Sequence, residues 1–358
     1  MKILMLVGWK VRSCVIPPWD LQPPDYNCEG QPYWFFRHLS EENIKIDVVD
    51  NGCPSKLWEQ LEKKRFRFYI WQSLKKLPAL RNYDLILSHG AQSAILLAFL
   101  RSLIGVKLPP HIIIDIGALN GGRDRKSEVA LFRFAMESVA GLVYHVKQQE
   151  IHYQRYFPGL LTKSRFVAYG PDIDLFAPLP DVPIEDYILS VGYAKRDWST
   201  LISAYKGLRG RKPRLMILGD SNPISGPLPE GISAMGRVSF RVMMQHIAAA
   251  RFIVVPLPYI PYAVGQMTVL QSMAMGKAVI ASRLPSLLNY INDGRDGVFY
   301  TPGNFRELSE KMQYLIENSI IAKSIGENAR LATESKFNER LMAKGIWDSI
   351  LEIVTLSN

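Results

Sequence analysis

Residues 261–283, Pro-Tyr-Ala-Val-Gly-Gln-Met-Thr-Val-Leu-Gln-Ser-Met-Ala-Met-Gly-Lys-Ala-Val-Ile-Ala-Ser-Arg, predict a loop, a short helix and a strand in succession. Thr268 to Met275 is apolar on all sides and too short for a surface helix, so it belongs in a core. Gly276 stands where a left-handed residue would end it. Ahead of the helix, Gly265 lets the backbone come close to a ligand. The N–H groups of Met267, Thr268 and Val269 would face that ligand, with the positive end of the helix dipole behind them. Such an end favours a phosphate. Taken alone, the stretch also reads as an ordinary αβ crossover in a parallel sheet, and its neighbours decide between the two.

The chain has 358 residues, 48% of them hydrophobic, which is enough for two domains each with its own core. The three cysteines, Cys14, Cys28 and Cys53, are odd in number and lack paired spacing. They argue against a disulfide framework or a zinc site and fit a reducing cytoplasm. Ile3 to Trp9 is shorter than the apolar region of an export signal and reads as a first strand. The longest apolar run, Ala94 to Val106, is interrupted by Arg101 and falls short of the roughly 18 residues that a spanning helix needs. The net charge of +10 is uneven: residues 1–170 carry 23 Lys and Arg against 15 Asp and Glu, and residues 171–358 carry 20 against 18. A basic first half suits nucleic acid, an anionic membrane or an anionic substrate.

Lys2 to Gly8 predicts a buried strand whose glycine lies at the ligand edge of a doubly wound sheet. Trp9 to Gly30 has no periodicity but holds Pro17-Pro18, Trp19, Pro23-Pro24 and Tyr26, the composition of a substrate-facing flap. Gln31 to Leu39 predicts a helix and Ile44 to Val49 the second strand. In Lys56 to Leu77, Leu57, Leu61, Phe68, Trp71 and Leu74 recur at near-helical spacing, and Lys63, Lys64, Arg65, Arg67, Lys75 and Lys76 form a basic side. Three readings share that pattern: a helix docked on its own sheet with a solvated basic face, an interfacial helix on anionic lipid, or a single-stranded nucleic acid site. Asp84 to His89, His111 to Ile116 and Gly141 to Val146 continue an alternation of strands and helices, and Asp115 to Gly122 sets polar and glycine residues at a strand C-terminus. Prolines 178, 180 and 183 mark a linker between domains 1–170 and 171–339, with a last amphipathic helix, 340–358, packing back on the first.

Several landmarks of the second half fall in register. Tyr169 to Pro178 looks like a Gly/Asp-x-x-x-Phe-x-Pro linker, Val191-Gly192 with Arg196 and Leu201 like a first strand and turn, and Leu218-Gly219-Asp220 like a second. Gly236-Arg-Val, Val255-Pro256, Met273-Ala274-x-Gly276-Lys277-x-Val279-Ile280 and Gly294-x-x-Gly297 complete the set. Over nearly its whole length this half resembles the retaining glycosyltransferases of family 4 (glycosyl transferases group 1). The first 170 residues match in strand and helix order. The resemblance implies the α/β GT-B fold, two Rossmann-like doubly wound domains facing across a cleft. It also implies a metal-free retaining transfer from a nucleotide-sugar donor to a glycan or lipid-linked acceptor.

Carried onto this chain, the resemblance places the donor against Gly192, Tyr193, Gly219 and Asp220, and against Gly265, Gln266, Met267, Thr268, Val269 and Gln271. Arg196 and Lys195 are catalytic candidates, since charge building on the leaving diphosphate must be stabilised, and Asp115 is the third, left in the first domain where the family often has a histidine. Gly8, Trp9, His89, Gly117, Asn120 and His145, at strand ends of the first domain, are the acceptor-side candidates. No cofactor and no nucleic acid are expected. Asp172-Ile-Asp174 fits a metal-binding Asp-x-Asp but lies in the linker, so no metal is assigned to it. The protein is expected in the cytoplasm, with residues 56–76 open either to peripheral attachment on the inner face of the membrane or to docking on their own sheet. The chain departs from the family at its paired glutamates, whose places hold Ala263 and Gln271. That departure opens a rival reading, a GT-B protein that has lost transfer and serves as a nucleotide- or glycan-binding partner.

Overall fold

A computed structural model describes the chain except residues 40–42, 63, 65–67, 105–107, 118, 120–125, 221–223, 225 and 358. The expectations for Asn120, Lys63, Arg65 and Arg67 lie outside the described residues. The chain divides into two compact units, Met1–Ala168 with Met342–Asn358, and Tyr169–Leu341.

The first unit contains strands β1 (Lys2–Val7), β2 (Arg12–Cys14), β3 (Tyr26–Cys28), β4 (Lys45–Val49), β5 (Leu85–His89), β6 (His111–Asp115), β7 (Gly141–Tyr144) and β8 (Ser164–Phe166). Six of them form a sheet in the order β4-β1-β5-β6-β7-β8, with every pairing parallel, while β2 and β3 pair with each other. Its helices are α1 (Lys56–Leu61), α2 (Ile70–Lys76), α3 (Ala91–Ile104), α4 (Lys126–Glu137), α5 (Gln149–Tyr156) and α6 (Pro158–Leu161). β1, β5 and β6 are buried on both faces, which is why they read as apolar runs without alternation.

Two expectations change here. Gln31–Leu39 holds only a 3-10 turn, Trp34–His38, because Tyr33, Trp34, Phe35 and Phe36 are all buried and four consecutive rings cannot share one helical face. The single helix expected over Lys56–Leu77 is two. Glu62, 2% exposed, lies past the end of α1 and accepts hydrogen bonds from Trp58 Nε1 at 2.9 Å and from the Trp71 N–H of α2 at 2.7 Å. A carboxylate in that place satisfies a first-turn donor of the second helix. From α2, the buried Gln72 amide donates to the carbonyls of Val7 at 2.8 Å and Val49 at 2.7 Å, pinning the C-terminal ends of β1 and β4.

The second unit has strands β9 (Tyr187–Gly192), β10 (Arg214–Gly219), β11 (Ile232–Met235), β12 (Ile253–Val255), β13 (Val279–Ser282) and β14 (Val298–Tyr300), again parallel, in the order β11-β10-β9-β12-β13-β14. Its helices are α7 (Trp198–Lys206), α8 (Phe240–Ala249), α9 (Gln266–Ala274), α10 (Phe305–Glu317) and α11 (Ser319–Lys336). In each sheet the order reverses beside the first strand, at β1/β5 and at β9/β12, and such switch points are where open α/β sheets take ligands.

Behind α9 the packing leaves no spare room. A Cβ on Gly326 of α11 would overlap the Gly276 carbonyl. Arg330 of α11 donates through Nη1 to the carbonyls of Ala274 at 2.7 Å, Phe176 at 3.0 Å and Ile173 at 3.1 Å. Lys277 turns away to donate to the Ala250 carbonyl at 2.9 Å beyond the end of α8, its amine pushed down to about 8 by burial. The Asp-x-Asp pair has local duties as well: Asp172 accepts from the Asp174 and Leu175 N–H groups, and Asp174 pairs with Arg340. The last helix, α12 (Glu339–Ser357), runs from the second unit into the first, where a Cβ on Gly141 of β7 would meet Ile353 at 2.6 Å. Among the described residues no helix is long and apolar enough to cross a membrane.

Three histidines sit at strand ends of the first unit, all less than 9% exposed: His89, His111 and His145. His111 Nε2 is 2.8 Å from Ser88 Oγ, and His145 Nδ1 is 2.7 Å from the Val167 carbonyl. Burial holds the three imidazoles down to about 3, 3 and 4 respectively. Between those values and the ordinary value near 6.5 only the unfolded chain takes up the protons, so stability is intact above pH ~6.5 and is lost as pH falls below it. Each histidine should contribute up to about 1.4 kcal/mol per pH unit near pH 5. Denaturant titrations from pH 7.5 to 5 should show this slope, and His111→Asn should remove about one proton's worth of it, whatever its effect on stability at pH 7.5. An unchanged slope would show that His111 is not held neutral.

Candidate functional site

The C-terminal edge of the second sheet gathers the donor-side candidates. β9 and β10 end on in-register glycines, Gly192 and Gly219, and a Cβ on Gly219 would overlap the Gly192 carbonyl. A Cβ on Gly192 would in turn overlap the Arg196 guanidinium, which lies against that Cα. Arg196 donates from Nε to the Val191 carbonyl at 3.0 Å, from Nη1 to the Ala194 carbonyl at 3.0 Å, and from Nη2 to Thr268 Oγ1 at 2.9 Å. Among the described residues no carboxylate pairs with it. Burial without a counter-ion moves it down to about 10, so it remains charged at neutral pH.

Lys195, at φ +53, reaches the other side of the same loop. Its amine donates to Tyr262 Oη at 2.6 Å and lies 4.4 Å from the centre of that ring. The turn can hold both cations because Asp197 closes it: its carboxylate caps α7 by accepting from the Thr200 N–H at 3.0 Å, and its own N–H donates to the Pro256 carbonyl. Gly265, at φ +83, starts α9, and a Cβ there would press on Leu257 Cδ1 at 2.5 Å. The helix begins at Gln266, two residues earlier than the sequence indicates, so its first turn holds Gln266, Met267 and Thr268. Val269 already bonds back to the Gly265 carbonyl at 3.0 Å. Two cations thus bracket a helix N-terminus at the switch point, an arrangement suited to an anion.

The remaining donor-side residues lie around this core. Tyr193 receives the Val238 N–H at 3.5 Å and the Arg237 guanidinium over its ring at 4.5 Å. The Asp220 carbonyl accepts from Trp198 Nε1 at 3.0 Å. Gln271 lies further along α9 and is 6% exposed.

At the C-terminal edge of the first sheet, Trp9 follows β1 and Gly8. Its Nε1 donates to the Pro24 carbonyl at 3.2 Å, and its ring meets His89 edge-on at 4.7 Å and Trp34 at 5.8 Å. His89 Nδ1 and Ser93 Oγ are buried without a hydrogen-bond partner among the described residues. His145, by contrast, is committed to the Val167 carbonyl. Asp115 requires a correction. It is fully buried, and its carboxylate accepts from the Gly117 N–H at 3.0 Å, Tyr153 Oη at 2.6 Å and Gln149 Nε2 at 3.2 Å. A carboxylate so occupied latches the loop after β6 to α5 and is closed to a reacting group. Sequence reasoning misses Tyr262, the support for Lys195, although it lies in the stretch that decides the fold. It also misses Trp34 and Ser93, whose surroundings only the folded chain assembles.

Residues 185–318 match the family model described as Glycosyl transferases group 1. An uncharacterized glycosyltransferase of Methanocaldococcus jannaschii is 32% identical over 99 residues, 28% of this chain and 27% of that protein. The capsular polysaccharide biosynthesis glycosyltransferase CapM of Staphylococcus aureus is 25% identical over 81 residues, 23% of this chain and 20% of that protein. The matched segment therefore spans about a quarter of the length of these curated relatives. Among solved structures, sucrose-phosphate synthase from Thermosynechococcus elongatus superposes with a TM-score of 0.73 at 16% identity, covering 99% of this chain and 100% of that one. HepE of Anabaena, solved in complex with UDP and glucose, gives 0.69 at 16% identity over 98% of this chain and 100% of that one. Residues 185–318 thus match the Glycosyl transferases group 1 family model, in a chain with the two Rossmann-like domains of the GT-B fold.

Proposed function

We propose that the protein is a glycosyltransferase that moves a sugar from a nucleoside diphosphate sugar, with retention and without a metal, to a glycan or a lipid-linked acceptor. The observation that carries this reading is the charged Arg196 guanidinium at the mouth of α9, braced on Gly192 and Thr268 with no carboxylate beside it among the described residues. As the bond to the leaving diphosphate lengthens, negative charge grows on its oxygens. Arg196, Lys195 and the first-turn N–H groups of α9 would stabilise that charge, with little reorganisation because Val191, Ala194, Thr268 and Tyr262 already hold the cations. The family match covers this same region, and HepE was solved with UDP and glucose. Trp9 and His89 would face the acceptor, the neutral imidazole offering Nδ1 to a hydroxyl.

A second reading, a GT-B protein retired from transfer, is favoured by Ala263 and Gln271 standing in the places of the two family glutamates. Gln271 keeps an acceptor oxygen for a ribose hydroxyl but gives up the stronger charge-assisted bond.

An anionic membrane surface is proposed as the place where the acceptor is met. On α1 and α2, Leu57, Leu61, Trp71 and Leu74 are exposed beside Lys56, Lys64 and Lys75. Lys10, at the base of the flap, lies 3.9 Å from Glu59 of α1, and beyond it Val15, Ile16 and Trp19 are exposed, Trp19 at 87%. Apolar side chains among lysines suit the headgroup boundary.

Arg196→Ala should weaken binding of a nucleoside diphosphate by about 1.5–3 kcal/mol in titration calorimetry, and unchanged affinity would take Arg196 out of the site. Gln271→Ala should cost about 1 kcal/mol of nucleotide affinity and lower nucleoside diphosphate release from a donor sugar in the presence of acceptor lipid or glycan. If the unsubstituted protein binds nucleotide yet releases none from any donor in a broad panel, the retired reading replaces the catalytic one. Sedimentation with anionic vesicles should fall by about 1 kcal/mol for each of Lys64→Gln and Lys75→Gln, whereas equal sedimentation of parent and double variant would end the membrane proposal.

A further inference from the structure

The flap after β1 contains a pair of thiols that the spacing of the cysteines does not reveal. β2 and β3 run parallel with Arg12 opposite Tyr26, Ser13 opposite Asn27 and Cys14 opposite Cys28. Residues opposite each other in a parallel pair project to the same face. Neighbouring strands lie ~4.8 Å apart, inside the Cα separation of about 4.4–6.8 Å that a disulfide spans. Both cysteines are free thiols, Cys14 partly exposed and Cys28 buried. Cys28 Sγ donates to the Val15 carbonyl at 3.1 Å and Cys14 Sγ to the Asn27 carbonyl at 3.7 Å, so each thiol reaches across to the other's strand. The Cys28 thiol is pushed up, first by burial and then by its hydrogen bond with Cys14. Cys53 is placed differently, its thiol donating to Glu62 Oε2 at 3.1 Å.

We propose that Cys14 and Cys28 form a reversible disulfide by exchange with a low-molecular-weight disulfide. The more accessible Cys14, as thiolate, attacks one sulfur of the reagent, forming a mixed disulfide and expelling one small thiolate. Cys28, as thiolate, then attacks the Cys14 sulfur, closing the Cys14–Cys28 bond and expelling the second. The protons given up by the two cysteines end on the two small thiols, so two protein thiols are oxidised and one reagent disulfide is reduced to two thiols. The cross-link fixes the base of the segment Val15–Asn27, which carries the exposed Trp19 and the Pro24 carbonyl that receives Trp9 Nε1 and Tyr33 Oη. Cys28 also lines a cavity of about 140 Å³ with Tyr26, Tyr33, Trp34 and Arg37, so oxidation would reshape one wall of it.

The test uses the full chain, reduced and freed of reductant, then incubated with oxidised glutathione. Thiols titrated under denaturing conditions should fall from three to one, a non-reducing peptide map should join Cys14 to Cys28, and dithiothreitol should restore all three. Cys28→Ser should stop the sequence at a glutathione adduct on Cys14. Three persisting thiols, a stable glutathione adduct on the unsubstituted chain, or a bridge involving Cys53 would each overturn the proposal. The peptide map of the unsubstituted chain decides the matter even if Cys28→Ser fails to fold.

Discussion

Arg196 is half-buried with no carboxylate beside it among the described residues, and β9, the turn after it and α9 meet on that cation. Removing a guanidinium from water is costly, and three acceptors offset part of the cost: the Val191 and Ala194 carbonyls and Thr268 Oγ1. These acceptors come from β9, from the turn after it and from α9, so the side chain ties the strand to the helix across the switch point. Two absences of a side chain make this possible. Gly192 leaves the space in which the guanidinium lies, and Gly219 leaves room for the Gly192 carbonyl. Below, Arg330 and Gly326 of α11 fix the other end of α9, so the helix is held at both termini and its N-terminus keeps its position relative to the cation.

The first unit is organised by different physics. Its sheet edge has aromatic rings and neutral polar groups in place of cations: Trp9, Trp34 and His89 meet edge to face, and burial keeps the imidazole uncharged. Rings present apolar faces and few fixed donors, a chemistry suited to the faces of sugar rings, whereas a diphosphate calls for donors and positive charge. The basic excess of this half lies elsewhere, in part on the exposed side of α1 and α2, which Glu62 joins to each other and Gln72 ties to the sheet.

Much of this architecture is legible in the amino-acid sequence. Strands buried on both faces announce themselves as short apolar runs, and glycines mark the C-terminal ends of β1, β9 and β10. What stays hidden depends on partners distant in sequence. Asp115 reads as catalytic because a carboxylate at a strand end often is, but Tyr153 and Gln149, which occupy it, lie a helix away. Lys56 to Leu77 reads as one helix, yet Glu62 in its midst is buried and separates α1 from α2. The position of Arg196 can be matched to a motif, but its rest on the bare Cα of Gly192 cannot. Gln271 stands out because it departs from a pattern, and the structure adds that it is buried on α9.

The path of α12 bears on how the protein is made. Its first residues belong to the second unit and its later ones to the first, where Ile353 fills the space left by Gly141 and Glu352 pairs with Arg165. A chain emerging from the ribosome completes the strands of the first unit long before this helix exists. While residues 169–341 are being synthesised, the apolar strip over β7 is uncovered, and the second unit can finish folding before the first does. The first unit is therefore sealed only after the second has been made, and a ribosome stalled before α12 emerges would leave it open to chaperones and proteases.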